Sequence, residues 1–155
     1  MSKRRRNDSG AAAVETALCL TFIVLPIVFA IVSYAYMFSF RQALSQAADE
    51  GARAAVGATT GTACPSTGPF TSACPAQYAA AQAVANNLAQ YGMACGTNNL
   101  ICTIAAPTSC NSGANLCLSV QVAYPYRSHS LMPTIPGFGF TLPPNLAFTS
   151  SVTVG

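Results

Sequence analysis

Few side chains in this chain can do chemistry, and their spacing excludes most of what they could do. Seven cysteines are present: Cys19, and then Cys64, Cys74, Cys95, Cys102, Cys110 and Cys117. The last six follow a long apolar run and contain no C-x-x-C pair. Zinc sites usually space their ligands more tightly, so the six read as disulfide partners in an oxidising compartment, and no metal or other cofactor is expected. Local pairing is favoured among the alternatives: Cys64 with Cys74, Cys95 with Cys102, Cys110 with Cys117. The only carboxylates are Asp8, Glu15, Asp49 and Glu50. His129 has Arg127, Ser128 and Ser130 as neighbours and no acid to tune it, whereas general acid–base catalysis needs a titratable group with a tuned partner. A cysteine nucleophile would lack a base in the same way, and no glycine-rich phosphate loop adjoins a lysine. The chain is not expected to be an enzyme or to turn over a small-molecule substrate.

Glu15 is the carboxylate whose position is informative. It stands immediately before an uncharged stretch, residues 17–40, ALCLTFIVLPIVFAIVSYAYMFSF. About 20 apolar residues carry a helix across a bilayer core, so this stretch is long enough to span. An ionisable group at the edge of such a helix is a functional candidate by default; the plainer alternative is a side chain in the headgroup region, facing water. Formal net charge is +3, and its distribution matters more than its size. Lys3, Arg4, Arg5 and Arg6 precede the apolar run, and after Arg53 the only formally charged side chain is Arg127. That asymmetry is a topology signal, with the basic end cytoplasmic and the C-terminal region extracytoplasmic. No basic face exists to follow phosphates, so nucleic acid is not an expected partner.

Two local patterns sharpen this reading. The first is Gly10-Ala11-Ala12-Ala13-Val14-Glu15, between a basic leader and a long apolar helix. The second lies downstream, where Leu25-Pro26 is followed by Ala47-Ala48-Asp49-Glu50-Gly51-Ala52-Arg53-Ala54-Ala55. Together they resemble the TadE-like pseudopilins of the tight-adherence (Tad/Flp) pilus apparatus, with a type IV prepilin processing region at the N-terminus. The resemblance is good over residues 10–56 and loose beyond. It departs from the family at Thr16, where an aromatic residue is frequent. It implies that a membrane-embedded prepilin peptidase cuts between Gly10 and Ala11, removing the basic leader 1–10. Glycine at the cut lets the backbone extend into a narrow site. The mature chain would balance Arg41, Arg53 and Arg127 against Glu15, Asp49 and Glu50. The α-amine freed on Ala11 is largely cationic near neutral pH, and the resemblance implies that Glu15 meets it, within one subunit or between two. Other pilins or pseudopilins of the Tad apparatus are the implied partners. The major pilin in such systems is little more than a helix, so the extra domain implies a minor or initiating subunit that helps build or prime a filament for adhesion.

The elements that carry these residues form an α+β chain. A helix over 11–56, transmembrane over about 17–40, extends into a small disulfide-stapled domain over 57–155 with a second helix and a short antiparallel sheet. Pro26 is expected to kink or locally loosen the membrane helix, and Cys19 reads as an inert thiol. Beyond Arg41, Leu44, Ala47, Ala48, Gly51, Ala52, Ala55 and Val56 share one helical face. Its small residues suit close packing on the chain's own domain or on another subunit. Residues 57–75 read as loop. Pro75 is placed to open a helix over 76–92, with Ala81, Val84, Ala85, Leu88 and Tyr91 on one face and Gly92 as its stop. Leu100–Ala105, Leu116–Tyr124 and Leu146–Val154 read as strands, the first two a hairpin joined by PTSCNSGAN. In the second, Leu118, Val120, Val122 and Tyr124 face one way. Residues 125–145 form a Pro- and Gly-rich excursion whose Leu131, Met132, Ile135, Phe138 and Phe140 make a binding patch or fold back over the sheet.

Two other functions fit the same composition. One is a plain single-pass membrane protein with an extracytoplasmic binding domain. The other is a soluble secreted disulfide protein, released by signal peptidase after Ala35 or Ala47.

Overall fold

The computed structural model describes residues 9–58, 64–110, 116–132 and 142–154. The leader residues 1–8, the linker residues 111–115 and the apolar residues Ile135, Phe138 and Phe140 of the excursion lie outside the described residues. Two compact units are present, residues 1–37 and residues 38–155.

The first unit is helical. Helix α1, Ser9–Cys19, runs into a π-helical turn, Leu20–Val24, and α2, Leu25–Val56, begins directly after it. The Leu25 N–H reaches back to the Leu20 carbonyl, five residues away instead of four. Pro26 explains the location. It has no N–H to donate, and its ring would press on the carbonyl one turn earlier; a wider turn just before it relieves that contact without breaking the helix. The expected loosening at Pro26 thus takes the form of a π turn. The hydroxyls of Thr16 and Thr21 donate to the carbonyls of Ala12 (2.9 Å) and Ala17 (2.8 Å), so neither lacks a partner on an apolar helix.

The second unit is a helix pair on an antiparallel sheet. Strand β3, Leu116–Tyr124, is its centre and pairs over its whole length with β4, Leu146–Val154. On its other side β3 pairs with β1, Ile101–Ile104, and then with β2, Thr108–Ser109. The sequence showed the three longer strands and the antiparallel pairing of β1 with β3. It did not show β2, which pairs Thr108 with Cys117 beside the Cys110–Cys117 bridge. Leu118, Val120, Val122 and Tyr124 all face the core, as their alternation predicts.

The α2 segment from Phe40 onward covers this core with Phe40, Ala43, Leu44, Ala47, Ala48, Gly51, Ala52 and Ala55. Val56, expected on the same face, is exposed. Helix α3 spans Pro75–Asn87, not 76–92. Asn87 turns its side-chain amide back to the Ala83 carbonyl at 3.0 Å, and the chain tightens into a 3₁₀ turn, Ala89–Tyr91, before Gly92 at φ 65° ends it. The buried face of α3 is Ala76, Gln77, Ala80 and Val84, continued by Leu88, while Ala81, Ala85 and Tyr91 are only half-buried. The small-residue face of α2 meets its own domain. A Cβ on Gly51 would lie 3.0 Å from Val84 Cγ2, 3.3 Å from the Ala80 carbonyl oxygen and 3.3 Å from Val120 Cγ1. Three disulfides staple the unit, Cys64–Cys74, Cys95–Cys102 and Cys110–Cys117.

Candidate functional site: the N-terminal helix

The first unit exposes what a water-soluble protein would hide. Val14, Leu18, Leu20, Phe22, Ile23, Val24, Leu25, Ile27, Val28, Phe29, Ile31 and Val32 are all exposed, and Phe22 keeps 73% of its surface. Single exposed apolar residues are ordinary, but a contiguous array of this size marks a partner or a membrane. These residues surround the helix instead of forming one stripe, which is the pattern of a helix whose solvent is lipid. The helical run from Gly10 to Val56 is long and apolar enough to cross a bilayer, and its most apolar window has none of its residues buried. A secretory signal shares those features. Its usual apolar centre of about 7–15 residues is shorter than this one.

At the start of this helix stand the residues singled out for processing and assembly. Gly10 and Ala11 lie in the first turns of α1 and are exposed. Nothing lies within 4 Å of the position a Cβ would take on Gly10. The bond between them is helical, so a peptidase that binds extended backbone must first unwind this end. Glycine makes that easier, since it is the poorest helix former after proline, by about 1 kcal/mol relative to alanine. Glu15 is exposed, and among the described residues it has no ion-pair or hydrogen-bond partner. Cys19, the one free cysteine, is exposed on the same helix.

The charged residues further along serve the helix surface. Glu50 and Arg53 form an exposed i, i+3 pair at 3.7 Å, worth a few tenths of a kcal/mol. Arg41 lies over the Phe148 ring, 5.6 Å from its centroid. In the distal region Arg127 donates from Nε and Nη2 to the Leu142 carbonyl, at 2.9 and 2.6 Å, and joins the two ends of the excursion. His129 contributes only its backbone: its carbonyl accepts from the Tyr124 hydroxyl at 2.7 Å. Burial raises the pKa of that tyrosine above its ordinary value. Among the described residues no three His, Cys, Asp or Glu side chains converge to hold a metal ion.

Two features escaped the sequence reading. Phe40, the last residue of the uncharged stretch, has no exposed surface and sits in an aromatic cluster, with ring centroids 5.0 Å from Tyr91, 5.2 Å from Tyr124 and 6.1 Å from Tyr126. Gln77 is buried and donates from Nε2 to the Ile104 carbonyl at 3.1 Å, while its Oε1 has no partner among the described residues. The clustering of aromatic residues in sequence around 124–126 was a visible hint of the first. Nothing local signals the second.

Residues 10–53 match the model of a protein family described as TadE-like protein. No curated protein and no solved structure matches the chain. The matched segment holds Gly10, Glu15, the lipid-compatible helix and the small-residue face centred on Gly51. Over that segment the chain is similar to TadE-like proteins.

Proposed function

We propose that this chain is a structural subunit of a Tad/Flp-type surface pilus, a TadE-like minor pilin or pseudopilin that takes part in filament assembly for adhesion. One coincidence carries the reading: the TadE-like match over residues 10–53 covers the helix that leaves its apolar surface open on all sides. The chain is anchored by that helix in the cell membrane, as a single pass. The basic leader stays in the cytoplasm and the disulfide-stapled unit lies outside, where the oxidising environment forms its bridges.

A prepilin peptidase cuts between Gly10 and Ala11. Loss of Lys3, Arg4, Arg5 and Arg6 frees the N-terminus from its cytoplasmic hold. Glu15 then pairs with the new amine on Ala11, in its own or a neighbouring subunit, because a carboxylate in apolar surroundings must pair or neutralise. With that pair formed, the helix can leave lipid for a bundle of other pilins or pseudopilins. No catalysis is assigned to the chain.

N-terminal sequencing of the protein from cells with an active prepilin peptidase tests this directly. Ala11 is the expected first residue, and an intact leader on all molecules overturns the processing step. Tyr36 as the first residue would support release by signal peptidase. Cleavage after Ala47 is disfavoured by the fold, since it would remove Phe40, Ala43 and Leu44 from the core. A Glu15→Gln chain is expected to be processed yet to enter assemblies poorly; assembly at native levels would remove the pairing role.

A further inference from the structure

The lipid-compatible surface of α2 ends sooner than the uncharged stretch does. Val32 and Tyr34 are still 48% and 42% exposed, but Met37 is only 7% exposed and Phe40 has no exposed surface. A hydrocarbon core takes about 20 helical residues; counted back from Tyr36, that span begins near Ala17, just inside Glu15. Helix α2 is continuous from Leu25 to Val56, so at the helical rise Arg41 stands about 7.5 Å past Tyr36. The headgroup layer on each side of a bilayer is about 5–7.5 Å deep. Arg41 is therefore the first charge after Glu15, and it falls at the depth of the lipid phosphates.

The second unit brings another arginine to the same end. The Phe40 ring lies 5.2 Å from that of Tyr124 and 6.1 Å from that of Tyr126, and Arg41 and Arg127 directly follow Phe40 and Tyr126. Toward the other end of the unit, Gly51 stands against Val120. Both arginines are exposed. Arg41 is held over the Phe148 ring. Arg127 is held by the Leu142 carbonyl, which takes Nε and Nη2 and leaves Nη1 without a partner among the described residues. Beside them are Phe38, 53% exposed, and Tyr91, whose hydroxyl is 3.4 Å from Ser39 Oγ; tyrosines gather at membrane interfaces. No carboxylate side chain shares this end. After Glu15 the chain has only Asp49 and Glu50, about 12 Å or more beyond Arg41 along the helix, and Glu50 pairs with Arg53.

We propose that this end of the second unit is a docking surface for phospholipid headgroups of the extracytoplasmic leaflet, with the phosphates taken by Arg41 and Arg127. A guanidinium matches phosphate oxygens with paired N–H donors, and both groups are held in place before lipid arrives, which lowers the ordering cost of binding. Two cations without a nearby counter-charge suit an anion, and along α2 they follow directly on the apolar surface that the bilayer covers. The inference rests on the membrane anchoring proposed above and on neither the leader cleavage nor the pilus. Withdrawal of the helix from lipid then has to break these phosphate contacts as well.

The test places the full chain in nanodiscs of phosphatidylcholine and phosphatidylglycerol, and separately in dodecyl maltoside micelles, whose headgroups carry no phosphate. In discs doped with a lipid bearing a paramagnetic headgroup, the Nε–H signals of Arg41 and Arg127 should broaden. That of Arg53, about 18 Å farther along α2 than Arg41, should stay sharp. This measurement uses the unaltered chain, so it stands even where a variant folds poorly. After transfer to maltoside, native mass spectrometry should find phospholipid retained; Arg41→Gln should lower that retention about fivefold, and Arg53→Gln should not. Inorganic phosphate added to the micelles should leave the arginine signals unmoved. A chain that fails to enter the discs overturns the anchor itself. A chain that enters but shows three equally sharp arginine signals, keeps its lipid in Arg41→Gln, or responds to inorganic phosphate overturns the docking alone.

Discussion

Gly51→Ala sets helix propensity against packing at one site, and the structure decides which prevails. In a helix interior the change alone should stabilise by about 1 kcal/mol. Here the new Cβ would lie 3.0 Å from Val84 Cγ2, 3.3 Å from the Ala80 carbonyl oxygen and 3.3 Å from Val120 Cγ1. Carbon contacts are comfortable at about 3.5–4.0 Å, so every neighbour must retreat by some tenths of an ångström. The Ala80 oxygen is part of the α3 backbone and has no rotamer to escape into. Overpacking of this kind costs about 1–3 kcal/mol, which leaves a net loss of about 1 kcal/mol. For a domain of this size that lowers the melting temperature by about 4–8 °C. Gly57→Ala is the matched control, since nothing lies within 4 Å of its Cβ position and its backbone is not left-handed. It should stabilise by about 0.5 kcal/mol through the unfolded chain. Near-UV circular dichroism melts of the full chain in detergent, with disulfides intact, measure both. Opposite shifts are expected. Equal upward shifts would show that α2 does not lie as close to α3 and β3 as described.

Other outcomes follow from the same geometry. Replacing Cys64 and Cys74 by serine should cost about 2–3 kcal/mol, because the bridge spans a separation of 10 residues; denaturant titration of the full chain would read it. Tyr124→Phe deletes the hydroxyl's 2.7 Å bond to the His129 carbonyl and should cost about 1 kcal/mol. Burial raises the pKa of Tyr124 in the folded state, so its contribution is complete below the unfolded value near 10 and is lost as pH rises through the folded value. The phenylalanine variant should lack that alkaline component in a stability–pH profile. Gln77→Glu replaces an amide that donates to the Ile104 carbonyl with a buried carboxyl. Burial should raise that carboxyl's pKa, so the variant should be least stable near neutral pH and recover in acid, as followed by melting temperature.

The strands were legible because β3 alternates strictly and its apolar set has one place to go. The lipid-compatible helix was legible from length and charge alone. What the sequence hid depends on contacts between distant segments. Ala80, not Ala81, is buried because α3 is rotated to fit Gly51, and a one-residue rotation cannot be read from a run of alanines. Strand β2 is too short to show a period. Phe40 looks like one more membrane residue until Tyr91, Tyr124 and Tyr126 are brought around it by the sheet. The residues proposed for processing, Gly10 and Ala11, stand out only as a pattern of spacing, and no packing among the described residues singles them out.

Arg127, the single formal charge after Arg53, has its guanidinium tied to a carbonyl. A surface so nearly neutral has no carboxylates beyond Glu50 to protonate, so moderate acid has little means of unfolding it, and added salt finds almost nothing to screen. Two such surfaces also meet without electrostatic repulsion, which suits crowding side by side and works against remaining dispersed in water.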